Sequence, residues 1–74
     1  MLYYRIQHVS FDGIAFGNQV FRNPASARTV ADNMQAEADA RGNPSGAIFI
    51  VWGYSARCSS REAYRTRPYG KAVA

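Results

Sequence analysis

The chain has 74 residues and a mass of 8.2 kDa, room for one small domain, because a chain of this length buries only about 60% of its unfolded surface. Hydrophobic residues at 47% and aromatics at 14% exclude a wholly disordered chain, and the longest apolar run, Ala47 to Trp52, is too short to span a membrane. The formal charge of +4 is unevenly placed: residues 1–54 hold four Arg and four acids, whereas residues 55–74 hold Arg57, Arg61, Arg65, Arg67 and Lys71 against Glu62 alone. Residues 1–54 are therefore expected to form a neutral α+β body, and residues 55–74 a basic segment rich in Arg and Tyr. Met-Leu-Tyr-Tyr-Arg carries no charged leader before an apolar stretch, and one cysteine makes no internal disulfide, so the expected location is a reducing cytoplasm.

Tyr3, Tyr4, Ile6 and Val9 are β-formers in Leu2 to Val9, Ile14 to Phe21 continue the same way, and Asp12-Gly13 between them signals a hairpin. Loop length decides which side chains share a face. A two-residue loop would join Leu2, Tyr4 and Ile6 to Ala15, Gly17 and Gln19. A three-residue turn would join them to Ile14, Phe16 and Val20, which makes the cleaner core and is the expected register. It leaves Tyr3, Arg5, Gln7 and Val9 on the other face and sets Tyr3 opposite Phe21.

Asn23-Pro24 is a helix start, since the Asn side chain accepts from an orphan amide and proline loses no bond at the first helical position. The helix is predicted from Pro24 to Arg41, stopping at Gly42 before Asn43-Pro44. Ala27, Val30, Ala31, Met34 and Ala38 form its apolar stripe, flanked by Arg28, Asp32, Gln35 and Asp39. Asn43 to Gly46 is a turn. Ala47 to Tyr54 reads as a strand apolar on both faces, with Ile48, Ile50 and Trp52 on one and Phe49 and Val51 on the other. Pairing it antiparallel with the first strand gives the order 2-1-3, helix on one face, with the third strand's edge in need of cover. In the basic segment, Ser59 and Glu62 have capping-box spacing for a short helix. Alternatively Glu62 to Arg67 alternate as a fourth strand that covers the edge, the preferred reading. Lys71 to Ala74 are expected to fray.

Catalytic chemistry finds little support. Cys58 and His8 are the only nucleophile-base pair, a loop thiol and a strand imidazole, and the bland reading of each outweighs a dyad. No close ligand pair has zinc-site spacing, and six glycines form no phosphate loop, so neither metal nor cofactor is expected. Arginine is the distinctive feature, eight against one lysine. Guanidinium groups bind phosphate or carboxylate bidentately and stack on rings, and here they are interleaved with tyrosine. The candidate contact residues are Arg57, Arg61, Tyr64, Arg65, Arg67, Tyr69 and Lys71 of the segment, with Tyr3, Arg5 and Phe21 on the sheet face opposite the helix.

The order hairpin, helix, strand and fourth strand, at this size and with no catalytic constellation, resembles the small phage-encoded anti-CRISPR proteins, some of which are ββαββ folds that block a host surveillance complex. The hairpin followed by a helix also resembles the arm-binding domains of phage integrases, which lay a three-stranded sheet in a DNA groove. Both resemblances cover residues 1–54, rest on element order, and assign no role to a residue. The resulting expectation is a non-enzymatic interaction protein whose partner is a host protein or protein–nucleic acid complex. The alternative is direct binding of DNA or RNA. A homodimer through the third strand is compatible with either.

Overall fold

The computed structural model describes residues 2–55 and 59–67. They form β1 (Tyr3–Ser10), β2 (Gly13–Phe16), α1 (Pro24–Ala40), β3 (Ile48–Tyr54) and β4 (Ser60–Arg65). The strands make one sheet in the order β2-β1-β3-β4 with every neighbouring pair antiparallel, and α1 packs on one face, so the fold is α+β. The chain after Tyr54 turns back as a strand and not as a helix capped at Ser59. It begins two residues earlier than alternation suggested, and Ala63 forms a bulge, since Trp52 opposes Glu62 while Val51 opposes Tyr64.

Helix α1 starts as its sequence dictates: Asn23 Oδ1 accepts from the Ala25 amide at 2.8 Å and Pro24 occupies the first turn. It stops when Gly42 (φ 88°) and Asn43 (φ 44°) turn left-handed and return their amides to Asp39 and Ala38. Ala27, Ala31 and Gln35 are its buried residues, spaced four apart. Gln35, expected as a flank, replaces Met34, which is exposed. Tertiary partners explain the exchange. Gln35 Nε2 donates to the Ala47 carbonyl and to Asp39, and its Oε1 accepts from the Thr66 hydroxyl, which itself accepts the Phe49 amide at 2.8 Å. Asn43 extends the same network by exchanging hydrogen bonds with Ala47. Thus the residue after β4, the end of α1 and the start of β3 are fastened by one polar cluster in which every buried side-chain group is satisfied.

The core contains Ile6, Phe21, Ala27, Ala31, Ala47, Phe49 and Val51, with Tyr4, Val30, Ala38 and Tyr64 packed against it. Two alanines of α1 facing the sheet let the helix sit close over it, at the cost of apolar area. Gly53 serves the same economy, because a Cβ there would lie 3.0 Å from the Tyr4 ring across the strand.

The hairpin departs from expectation. Ser10 pairs with Gly13 and Val9 with Ile14, so the loop is the two residues Phe11-Asp12, with Ser10 Oγ accepting the Asp12 amide. This parity places Ile14 and Phe16 beside Val9 and Gln7, away from the helix, and Ala15 on the helix side. The reason lies in α1, which packs over β1 and β3 rather than β2, so large β2 residues find nothing to bury against beneath it. The missing core side chain is supplied by Phe21. After the chain leaves β2 it rejoins β1 through two hydrogen bonds between Phe21 and Tyr4, and Phe21 becomes only 7% exposed. Phe21 is therefore opposite Tyr4, not Tyr3, and belongs to the core, not to the open face.

Candidate interaction surface on the open sheet face

Strand pairing orders the helix-free face into rows. Ile14, Val9 and Ile48 form the first, then Phe16, Gln7, Ile50 and Arg65, then Arg5, Trp52 and Glu62, and finally Tyr3, Tyr54 and Ser60. Eight of these thirteen positions are apolar or aromatic. The alternation of β3 predicts this central column and, with it, a face opposite the helix that wants cover. A strand apolar on both faces, with one helix to cover it, leaves Ile48, Trp52 and Tyr54 on an open surface.

Rings and cations on this face hold one another in place. The Tyr3 and Tyr54 rings stack with centroids 5.0 Å apart and planes 12° from parallel. Arg5 lies 5.1 Å over the Phe16 ring and donates to the Gly17 carbonyl at 3.1 Å. Trp52 donates its indole N–H to Gln7 Oε1 at 2.7 Å, fixing the largest ring against the strand beside it. Between these groups Ile50 is nearly sealed, at 4% exposure, although no helix covers it. Arg65 makes two bonds to Glu62, at 2.8 and 3.1 Å. That pairing lowers the Glu62 carboxyl below its usual range and raises the Arg65 guanidinium. The formal charge of the face is only +1, from Arg5 and Arg65 against Glu62.

The sequence-predicted contact residues are thus dispersed. Tyr3, Arg5 and Arg65 share the open face. Arg61, opposite Gly53, and Tyr64, opposite Val51, stand on the helix side. Tyr64 is a pin between β4 and α1: its hydroxyl donates to Asp32 at 2.6 Å and Arg28 lies 4.5 Å over its ring. Donation to Asp32, with lesser help from desolvation, raises the phenol pKa above 10.0. Arg67 borders a groove between α1 and β4 that Asp32, Asp39 and Thr66 also line. Arg57, Cys58, Tyr69 and Lys71, with the rest of the expected frayed end, lie outside the described residues. His8 packs its ring against Phe49 on the helix side.

Among the described residues no three His, Cys, Asp or Glu side chains gather as a metal site, and no helix is long and apolar enough to cross a membrane. No family model, no curated protein and no solved structure matches the chain.

Proposed function

We propose that the chain is a non-enzymatic interaction protein that occupies a surface of a host protein or protein–nucleic acid complex, in the manner of the small phage inhibitors its element order resembles. The open face carries this reading. It is broad, aromatic and close to neutral, and both of its arginines are engaged within the chain. A surface whose cations are already committed and whose accessible rings are Trp52, Tyr3 and Tyr54 suits an apolar protein patch better than a phosphate backbone, which rewards free, unpaired cations. Direct nucleic-acid binding is the second reading, favored by the stacked Tyr3 and Tyr54 beside Arg5 on an open sheet, a placement suited to base stacking.

One titration separates them. The purified protein is mixed with short single-stranded and duplex DNA and RNA at low and at physiological salt. The protein-partner reading expects no binding with a steep salt slope, and such binding abolished by Tyr3→Ala combined with Tyr54→Ala would replace it with the second. In parallel, Trp52→Ala combined with Tyr54→Ala is expected to lose a partner retained from bacterial lysate by the unsubstituted protein. Retention by a variant that is folded by circular dichroism places the contact elsewhere.

A further inference from the structure

Among the described residues, nothing pairs with the outer edge of β2. Natural sheets blunt such edges with charges, proline, bulges or very short strands; β2 has only its four-residue length, and it reads Gly-Ile-Ala-Phe with all four residues exposed. Exposure is concentrated here: Phe11 (89%), Ile14 (66%), Phe16 (42%) and Val20 account for four of the six exposed large hydrophobics among the described residues. Asp12 is the only charge between His8 and Arg22.

The hydrogen-bond alternation of the hairpin says which backbone groups are on offer. Gly17 donates to the Ile6 carbonyl, so Gly13, Ala15 and Gly17 turn their amides and carbonyls toward β1, and Ile14 and Phe16 turn theirs outward. These four outward groups are symmetric about Ala15.

We propose that β2 pairs with β2 of a second copy, antiparallel, about a two-fold axis through Ala15. Ile14 of each copy then faces Phe16 of the other, and the two pairs exchange four hydrogen bonds using every outward group. Ala15 meets its own counterpart at the close, non-hydrogen-bonded position, where a methyl group fits. On the open face this creates two aromatic–aliphatic cross-strand pairs, and the two four-stranded sheets become one of eight strands. A second copy fits better than a charged partner because the stretch has almost no charge to complement, and joining there keeps the arginine-bearing β4 edges at opposite ends. Pairing over four residues, about 13 Å of strand, falls short of the roughly 800 Å² per partner of a stable interface, so the dimer is concentration-dependent. The pairing does not rest on the proposed partner, and it leaves Trp52 and Tyr54 open.

Sedimentation velocity from micromolar concentration to about 1 mM tests it. The expected result is a mass rising from 8.2 kDa toward twice that value, with concentration-dependent protection from hydrogen exchange at the Ile14 and Phe16 amides and not at Ala15. Ala15→Lys and Ala15→Glu each place like charges across the axis and are expected to weaken the dimer by about tenfold or more, while an equimolar mixture of the two restores it. Ile14→Lys, at an exposed position, is the second disrupting variant should either Ala15 change perturb folding. A monomer at every concentration overturns the proposal. So does a dimer indifferent to these variants, or one that the charge-swapped mixture does not restore.

Discussion

β4 closes one side of the sheet with Arg61, Glu62 and Arg65 among its six residues, a bulge at Ala63, and a polar cluster that ties Thr66 to Gln35 and Phe49. β2 closes the other side with four uncharged residues, two of them large and exposed, and relies on Phe21 to bring the following chain back to β1. One edge is fastened by polar groups and protected by charge. The other is anchored by a single ring and left bare. Arg61 and Arg65 against Glu62 give β4 a charge of +1 out of the chain's +4, so a charged edge strand explains part of the excess without a nucleic acid.

Removing the ring is the strongest way to break the comparison. Phe21→Ala takes the one large core side chain contributed by the β2 side, and such truncations cost about 3–5 kcal/mol. Urea denaturation should show a loss of that order, with amide exchange accelerated first in β1 and β2. A loss well under about 1 kcal/mol would mean that Phe21 is not the anchor. On the other side, Thr66→Val keeps shape but leaves the buried Phe49 amide and Gln35 carbonyl without their partner, each worth about 1–3 kcal/mol when orphaned. Exchange should then accelerate at Phe49 and along β4, while Thr66→Ser, which retains the hydroxyl, stays near the starting stability. The reverse order, with Ser destabilizing and Val near the starting stability, would show that the methyl, not the hydroxyl, holds β4.

These two anchors were unequally legible in the sequence. Asn23-Pro24 and Gly42 marked the helix because caps are local chemistry, and the two-sided apolarity of β3 announced both its central place and the need for a strand at its edge. The hairpin register was not local. Asp12-Gly13 looked like the turn center, but the turn is Phe11-Asp12, and Phe11 returns its amide to Ser45 while its ring rests on Gly46, where φ is 62° and a Cβ would approach that ring to 3.0 Å. Those contacts join residues more than thirty positions apart, which periodicity does not register. Gln35 was misplaced for a related reason, since a polar residue on a buried stripe is stable only through partners supplied by Ala47 and Thr66. As for the contact residues, charge counting grouped Arg61, Tyr64 and Arg65 as one surface. Strand alternation and the bulge send Arg65 to one face and Arg61 and Tyr64 to the other.

The smallest effect concerns the pin that β4 has and β2 lacks. Tyr64 donates to Asp32 only while its phenol is protonated, and that bond raises its folded pKa above the ordinary 10.0. A raised folded pKa means stability that is fully present below the unfolded value and lost as pH rises through the folded one. Tyr64→Phe keeps the ring under Arg28 and deletes the donor, so it should lower stability by about 1 kcal/mol or less near neutrality. The other tyrosines are common to both proteins, so the difference between the two unfolding curves isolates this hydroxyl. It should hold constant to about pH 9 and shrink above pH 10 as Tyr64 of the unsubstituted protein loses its proton and, with it, the bond to Asp32. A difference that stays flat or widens through that range would mean that the hydroxyl does not fasten β4 to the helix by donating to Asp32, and would leave the polar cluster at Thr66 as what distinguishes the fastened edge from the bare one.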